Sequence, residues 1–265
     1  MITHKSIGYS GRLGNQMFQY AALKALSLKT GFNYYLPDNT QIKQDGCFDF
    51  TNNKWIKYRL DLLDCFDLKC SLSNEIQPNI YHEKSFAFEP DLFKINDNTV
   101  IEGYFQSYKY FDKYKEEILK EFTFKFDILN KCKIEISKYK NPVSIHIRRG
   151  DYVNHPNYWV VTPEYIQEAL NHFNDDEHTF LIFSDDIEWC KQIFSEEVVF
   201  IKGNQFEDLC LMSLCKHNII CNSTFSWWGA YLNNNSNKKI IAPNNWFKDK
   251  TVMTNDLIPS NWITI

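Results

Sequence analysis

In the second half of the chain, short apolar runs alternate with amphipathic segments, and this alternation restricts the fold more than any other feature. Each apolar run has the length of a buried strand, and each amphipathic segment has helical spacing. The predicted strands are 143–148, 179–184, 198–201, 218–221 and 239–242, and the predicted helices are 163–173, 186–194, 206–215 and 225–232. Because strands that alternate with helices form parallel βαβ units, we expect an α/β fold with a doubly wound sheet in this half.

The length of 265 residues exceeds one typical domain and predicts two units of about 125 residues each. We place the boundary near Lys140-Asn141-Pro142, because proline ends a helical pattern there and a strand begins. The predicted domains are therefore 1–140 and 141–265. In the first domain, the pattern predicts extended runs at 6–10 and 99–106 and helices at 17–28 and 114–119.

Polar side chains follow three of the predicted strands, at the sheet edge where ligands bind in doubly wound folds. These clusters are Arg149-Gly150-Asp151, Ser184-Asp185-Asp186 and Asn222 to Ser226. Because strand side chains alternate, His146 and Arg148 share one face of the predicted strand. Ile145 and Ile147 pack on the other face. The sequence therefore predicts that His146 and Arg148 point together into a cleft.

The paired arginines indicate an anionic ligand. The chain has only four arginines against 25 lysines, yet Arg148 and Arg149 are adjacent. On an ordinary protein surface, the ammonium group of lysine can replace the guanidinium of arginine. The retained pair therefore suggests a need for the planar, bidentate guanidinium, and phosphate is the expected ligand. The Asp185-Asp186 pair opens a predicted helix, so we expect capping rather than metal binding.

Composition excludes several classes of protein. The net charge is -4 and basic residues are scattered among acidic ones, so no nucleic-acid partner is expected. No apolar run approaches the roughly 20 residues that cross a bilayer, and the N-terminus lacks the apolar core of a secretory leader. We expect a cytoplasmic location, with peripheral contact to the inner face of the membrane kept open. The eight cysteines lack CxxC pairs and zinc-type histidine partners, which indicates buried thiols and no metal site.

Three of the nine glycines, Gly8, Gly11 and Gly14, lie within seven residues before the first predicted helix. Such a turn offers backbone amides and a helix N-terminus to an anion, and a tight turn without a ligand is the alternative. A dinucleotide-dependent oxidoreductase is disfavoured, because GxGxxG spacing is absent and no acidic residue occurs from Arg12 to Pro37. A non-catalytic glycan-binding module would explain the abundant Tyr and Trp but has no use for paired arginines.

Several blocks resemble glycosyltransferase family 11, the α-1,2-fucosyltransferases. The segment from His146 to Tyr152 is similar to the family's HxRRGDY signature, and the segment from Gly11 to Ala21 resembles its GxLGNQMFQYA block. The blocks 103–107, 183–189 and 222–230 are similar to further family blocks, in the same order. The chief departure is Arg12, where the family commonly has glycine, and we expect Gly8 and Gly11 to keep the turn possible. Residues from about 40 to 98 match no family pattern, so the acceptor is not identified.

The resemblance implies two Rossmann-like lobes facing across a cleft, the GT-B type, with the acceptor-side lobe in 1–140 and the nucleotide-sugar lobe in 141–265. It implies an inverting galactoside α-1,2-fucosyltransferase that uses GDP-β-L-fucose as donor, with no metal or other cofactor. Its second substrate would be a galactose-terminated glycan in protein glycosylation or surface polysaccharide synthesis. The same fold with a different nucleotide-sugar donor or linkage is the alternative.

On this resemblance, Arg148 is the residue expected to stabilise the leaving GDP. Asp208 is expected to accept hydrogen bonds from guanine N1 and N2, with a solvated surface carboxylate as its alternative. The other residues expected to bind the donor are His146, Arg149, Ser223, Thr224, Ser226, Gly14 and Asn15. For Ser223, Thr224 and Ser226, which follow the fourth predicted strand, a plain helix N-cap is the alternative.

An inverting displacement also needs a base for the galactose 2-hydroxyl. Asp151 is the nearest candidate, and an ion pair with Arg149 is its alternative role. His155 and Glu164 are further candidates for the base. The residues expected to bind the acceptor are Gln16, Gln106 and His155, with a core hydrogen bond as the alternative for either glutamine.

Overall fold

The computed structural model describes residues 1–8, 10–38, 60–173, 177–194 and 197–265, together with the backbone of 48–49 and 54–55. The chain divides into two compact units. Unit 1 comprises Met1–Thr123 and Val252–Pro259, and unit 2 comprises Phe124–Thr251 and Ser260–Ile265. Tyr9 and Cys47, on which predictions of a strand and of a buried thiol fall, lie outside the described residues.

Unit 1 contains a three-stranded parallel sheet in the order β1-β7-β6. Two further strand pairs, β2 with β5 and β3 with β4, are separate from it. The elements of this unit are β1 (Thr3–His4), α1 (Leu13–Thr30), β2 (Tyr35–Pro37), β3 (Phe48–Asp49), β4 (Lys54–Trp55), α2 (Asp61–Cys65), β5 (Ser71–Ser73), β6 (Asn79–His82), β7 (Thr99–Glu102) and α3 (Lys115–Glu121). Helix α1 is buried along most of its length, as its apolar spacing predicts.

The glycine-rich segment before α1 is a turn rather than the strand predicted at 6–10, and the strand lies earlier, at Thr3–His4. Gly8 and Gly11 have φ values of 79° and 94°, a backbone conformation that side chains with a Cβ rarely adopt. A Cβ atom at Gly11 would also lie 2.1 Å from the side-chain nitrogen of Asn15. The expectation that these two glycines permit the turn beside Arg12 is confirmed.

The loop that follows β7 is held in an unusual conformation. Phe105 has a positive φ of 51°, and the Glu83 carboxylate accepts the backbone amides of Tyr104 at 2.7 Å and Phe105 at 2.9 Å. Gln19 donates to the carbonyl oxygen of Gly103 at 3.2 Å. These contacts end the extended run at Glu102, short of the predicted limit at 106.

Unit 2 contains a six-stranded parallel sheet in the order β10-β9-β8-β11-β12-β13. Its elements are α4 (Phe126–Ile136), β8 (Pro142–Ile147), α5 (Pro163–Leu170), β9 (Thr179–Ser184), α6 (Ile187–Ile193), β10 (Val199–Phe200), α7 (Gln205–Leu214), β11 (His217–Ile219), α8 (Thr224–Tyr231), β12 (Ile240–Ala242) and β13 (Ile263–Thr264). The chain runs outward from β8 to β10, returns to β11 beside β8, and continues outward in the other direction. The predicted doubly wound sheet is confirmed, and its switch point lies between β8 and β11.

The division between the units lies earlier in the chain than the boundary predicted near 140–142. Helix α4 falls in unit 2 because it packs against α7. Lys131 forms an ion pair with Glu207 at 2.6 Å, and the Cys132 thiol lies 3.5 Å from the Glu207 carbonyl oxygen. The proline at position 142 therefore marks the start of β8 but not the start of the unit.

Candidate active site

The carboxyl ends of β8 and β11 bring polar side chains to the switch point of unit 2. His146 lies near the end of β8 and Arg148 follows it, while Asn222 and Ser223 follow β11. On the other face of β8, Ile145 and Ile147 belong to a cluster of buried hydrophobic residues in this unit. The predicted division of β8 into a polar and an apolar face is confirmed.

Arg148 is the central charged group of this edge. Its guanidinium forms ion pairs with Asp151 at 2.5 Å and with Asp185 at 2.8 Å, and the side chain is only 15% exposed. Burial acts to lower the pKa of Arg148, but the two carboxylates outweigh it and raise the pKa above its ordinary value. The group is therefore a permanent cation whose plane is fixed by two partners. The ion-pair alternative for Asp151 thus involves Arg148 rather than Arg149.

Arg149 points toward α6 instead. Its side chain pairs with Asp186 at 3.2 Å and lies 4.0 Å from the ring centre of Trp189, a cation–π contact. Asp186 is the N-cap of α6 and accepts the Trp189 amide, so the capping prediction is confirmed for this residue. Asp185, the first of the acidic pair, instead accepts the Arg149 amide at 2.9 Å and pairs with Arg148.

His146 is a buried, neutral imidazole. Its Nδ1 atom lies 3.1 Å from the sulfur of Cys221, and its ring packs against that of Phe225 with centres 5.6 Å apart. Burial, and to a lesser degree the charge of Arg148, lower the pKa of His146 to about 3. The group is therefore a hydrogen-bonding residue at neutral pH and not a proton donor in acid–base chemistry.

The start of α8 adds backbone and hydroxyl groups to the same edge. Ser223 caps the helix by accepting the Phe225 amide at 3.4 Å, which is the plain N-cap of the alternative interpretation. Ser226 is fully buried and donates to the Ser223 carbonyl oxygen, so its hydroxyl is already used within the helix. Thr224 is half-buried in the first turn. Asn222 donates to two loop carbonyls, and its own buried Oδ1 has no partner among the described residues.

Asp208 lies in the first turn of α7, after the loop that follows β10, and is half-buried rather than solvated. Burial raises the pKa of its carboxyl to about 7, the neighbouring Glu207 adds to this shift, and the Gly203 amide opposes it. Its Oδ1 atom is buried without a hydrogen-bond partner in the described part of the chain. A Cβ atom at position 203 would lie 2.4 Å from that oxygen, so only glycine lets the loop backbone pack against the carboxylate.

The three candidates for a catalytic base differ in availability. His155 accepts the Asn157 amide at Nδ1 and stacks on Tyr158, so its Nδ1 atom is already engaged in a hydrogen bond. Glu164 is exposed, and hydrogen bonds to its own backbone amide and to Thr162 lower the pKa of its carboxyl. Asp151 uses only Oδ1 for Arg148, and its Oδ2 atom has no partner among the described residues.

The remaining predicted residues lie in unit 1, near the start of α1 and the loop after β7. Gly14 and Gln16 are buried in the first turns of α1. Gln106 donates to the side-chain oxygen of Asn15 at 3.1 Å, so its amide is engaged in an internal hydrogen bond, the alternative considered for it. Gln106 and Asn15 thereby join the loop after β7 to the start of α1.

The sequence does not predict the roles of two residues, Asp185 and Cys221, at the ligand-binding edge of the unit 2 sheet. The sequence predicts capping for Asp185 and Asp186 together, whereas consecutive residues after a strand point in different directions and only Asp186 caps α6. Cys221 was treated as a generic buried thiol. The register that pairs Ile219 with Ile145 places Cys221 beside the end of β8, but this neighbour relation needs the strand order as well as the sequence.

A doubly wound sheet with a buried guanidinium and a helix start at its switch point is a nucleotide-binding arrangement. The family model described as Glycosyl transferase family 11 matches residues 2–265. The chain belongs to this family and is a glycosyltransferase.

Curated relatives resemble the chain over nearly its whole length. An α-1,2-colitosyltransferase from Escherichia coli is 34% identical, covering 97% of this chain and 97% of its own. The O-antigen biosynthesis glycosyltransferase WbnK from Escherichia coli is 30% identical, covering 97% and 98%. Galactoside α-(1,2)-fucosyltransferase 2 from Sus scrofa is 29% identical, covering 86% and 69%.

Solved structures share the fold at low sequence identity. The fucosyltransferase NodZ from Bradyrhizobium has a TM-score of 0.53 at 10% identity, covering 86% of this chain and 91% of its own. POFUT1 in complex with GDP-fucose has a TM-score of 0.50 at 14% identity, covering 90% and 96%. The predicted α/β fold of the GT-B type is confirmed. Among the described residues, no helix combines the length and hydrophobicity needed to cross a bilayer.

Proposed function

We propose that this glycosyltransferase moves L-fucose, or a closely related deoxy sugar, from its GDP-activated form to the 2-hydroxyl of a terminal galactose. The observation that carries the proposal is the doubly paired, buried guanidinium of Arg148 at the switch point of unit 2. The α-1,2 specificity of the relatives and the GDP-fucose bound in POFUT1 support the choice of donor and linkage.

The leaving group in this reaction is GDP, which gains negative charge as the glycosidic bond breaks. Arg148 donates a guanidinium N–H to Asp151 and forms an ion pair with Asp185, which leaves further N–H groups for phosphate oxygens. A cation that is already oriented stabilises developing charge without reorganisation. The start of α8, with Ser223 and Thr224, supplies amide donors to the same edge. Ser226 is assigned a supporting role because its hydroxyl donates within the helix.

We propose that the reaction needs no divalent metal. The carboxylates nearest Arg148 are already engaged: Asp185 holds Arg148 and the Arg149 amide, and Asp186 caps α6 while pairing with Arg149. Recruiting them as metal ligands would leave the guanidinium and the helix start without partners. The charge of the diphosphate is met by Arg148 instead.

We propose that Asp208 recognises the guanine base. The Watson–Crick edge of guanine presents N1–H and N2–H donors, and a carboxylate with a buried, unpartnered oxygen is the matching acceptor. Binding these donors would replace the missing hydrogen bond of Oδ1 and favour the charged form of the group.

For the base that activates the galactose hydroxyl, we propose Asp151, because its Oδ2 remains available whereas His155 and Glu164 are less suited. On the same proposal, unit 2 binds the nucleotide sugar, and the start of α1 with Gln16 and the loop after β7 with Gln106 bind the acceptor. A role of Gly14 and Asn15 in donor binding stays a prediction. The name of WbnK supports a surface polysaccharide as the product, and peripheral membrane contact stays a prediction.

A second donor deserves the same test. The α-1,2-colitosyltransferase has the higher identity of the two bacterial relatives, and colitose is fucose without its 3-hydroxyl. A site that hydrogen-bonds a substrate hydroxyl rejects the analogue lacking it by about four to five orders of magnitude, whereas an apolar site discriminates weakly. The preference between the two donors is therefore a measurable property of this chain.

The test is release of the nucleoside diphosphate, GDP from GDP-fucose, GDP-colitose and GDP-mannose and UDP from UDP-galactose, each with and without a β-galactoside acceptor. Product linkage is then read by methylation analysis. We expect acceptor-dependent GDP release with one of the first two donors and substitution at O2 of galactose. Turnover of UDP-galactose alone, or substitution at another oxygen, would contradict the proposal.

A further inference from the structure

We propose that Cys221 is a positioning residue that fixes the tautomer of His146. Its thiol donates a hydrogen bond to Nδ1, so that the imidazole carries its proton on Nε2 and presents that N–H to a phosphate oxygen of the nucleoside diphosphate. The tautomer is a property of the unliganded protein. Only the contact with phosphate rests on the proposed function.

The geometry places the two side chains in direct contact across the switch point. Cys221 follows β11 and His146 lies on β8, which pairs with β11 in parallel. The Nδ1 to Sγ distance is 3.1 Å, Cys221 is fully buried and His146 is 8% exposed. This contact joins the two strand ends that define the switch point.

The hydrogen on sulfur decides which atom donates. Burial raises the pKa of Cys221 to about 12, so the thiol keeps its proton. The other polar neighbour, the Ser226 hydroxyl, lies farther away at 3.8 Å and gives its own hydrogen to the Ser223 carbonyl. The nearer imidazole nitrogen is also the stronger acceptor, so the S–H bond points to Nδ1.

The state of the ring follows from this contact. A neutral imidazole carries one proton, and occupation of Nδ1 by an incoming hydrogen bond leaves that proton on Nε2. No described residue accepts a hydrogen bond from Nε2, and this nitrogen is not among the buried unpartnered atoms of the described residues, so its N–H is open to a ligand. The opposite tautomer would turn a lone pair toward an anion and repel it. A fixed Nε2–H therefore suits a phosphate oxygen beside Arg148.

The direct test is nitrogen NMR of protein labelled with ¹⁵N-histidine, with the His146 signals assigned by a His146→Gln variant. In the unliganded wild type we expect Nδ1 to have the shift of an unprotonated nitrogen and Nε2 that of a protonated one. Cys221→Ala removes the donor, so the two nitrogens should shift toward averaged values. Cys221→Ser keeps a donor and should preserve the wild-type pattern. A wild-type proton on Nδ1, or no change in Cys221→Ala, would overturn the assignment.

Binding of GDP tests the second step. We expect Cys221→Ala to weaken GDP binding by about fivefold to tenfold, the value of one ordinary hydrogen bond, and Cys221→Ser to restore it. Cys190→Ala is the matched control, because Cys190 and Cys221 are both fully buried members of the hydrophobic cluster of unit 2, but Cys190 lies on α6 and not beside His146. It should leave both the His146 signals and GDP binding unchanged. Equal weakening in both alanine variants would show general loss of packing and refute the positioning role.

The two proposals fail in distinguishable ways. If wild type binds no GDP, the proposed function fails, whereas the tautomer is read without any ligand. If wild type binds GDP but the Nε2–H resonance of His146 does not move on binding, the phosphate contact is refuted and the proposed function stands.

Discussion

Asp208 makes GDP binding dependent on pH in a way that can be calculated. The carboxyl has a pKa of about 7 in the unliganded protein because it is half-buried, and only its ionised form is the full acceptor for guanine N1–H and N2–H. The ionised fraction is about 0.9 at pH 8 and about 0.1 at pH 6 for such a group. The affinity for GDP is therefore expected to fall about tenfold between these pH values through Asp208 alone.

The substitution Asp208→Asn supplies the reference for this prediction. It keeps the shape but removes the charge and one acceptor, so we expect a loss of one hydrogen bond to a charged group, about tenfold to 150-fold in Kd at pH 8. Titration calorimetry at pH 6, 7 and 8 measures both proteins. The β-phosphate of GDP also titrates near pH 6, and the variant retains that contribution, so the ratio of the two Kd values isolates Asp208.

The Kd of the variant divided by the Kd of the wild type is expected to fall about tenfold from pH 8 to pH 6. Asp208 loses its charge in the wild type over this range, whereas the variant has no charge to lose at this position. Inosine diphosphate, which lacks the 2-amino group, should bind the wild type more weakly than GDP and should lose less on mutation. A pH-independent ratio, or equal losses for the two nucleotides, would refute the placement of guanine on Asp208.

Three further predictions concern charge. Arg148→Lys should lower kcat by about two to three orders of magnitude with an unchanged circular dichroism spectrum, because an ammonium cannot hold two carboxylates and a phosphate in one plane; near-normal turnover would remove Arg148 from its role. Activity should persist after incubation with EDTA and gel filtration, and recovery that required added metal would argue against leaving-group stabilisation by Arg148. Because burial raises the pKa of Asp208, the folded state holds the carboxyl proton more tightly than the unfolded state does. The resulting contribution to the free energy of unfolding is present below pH 4 and lost as pH rises to about 7. Urea unfolding should therefore show Asp208→Asn gaining stability relative to wild type over this range, by at most about 1.4 kcal/mol per pH unit, and a constant difference would be inconsistent with the raised pKa.

Much of unit 2 was predictable because the relevant signals are local. Each strand that ends at the site is an apolar run bounded by polar residues, and the order of strands and helices fixes a parallel sheet. The alternation along β8 then placed His146 and Arg148 on one face. These inferences need only the periodicity of the chain and the handedness of βαβ units.

The partners of the site residues were less predictable because they depend on loop geometry. The sequence does not predict the carboxylate partners of Arg148: the short 3-10 turn at Gly150–Tyr152 brings Asp151 back to it, and Asp185 reaches it from the end of β9. The strand predicted at 6–10 was wrong because Gly8 has a left-handed backbone, which apolar spacing does not reveal. The placement of α4 in unit 2 depends on its packing against α7, a contact between distant parts of the chain.

The most direct test of the account is a crystal structure with GDP and a galactoside bound. We predict a nitrogen of the Arg148 guanidinium within about 3.2 Å of a diphosphate oxygen and the guanine edge on the carboxylate of Asp208. A diphosphate bound elsewhere, with Arg148 still held only by Asp151 and Asp185, would contradict the central claim.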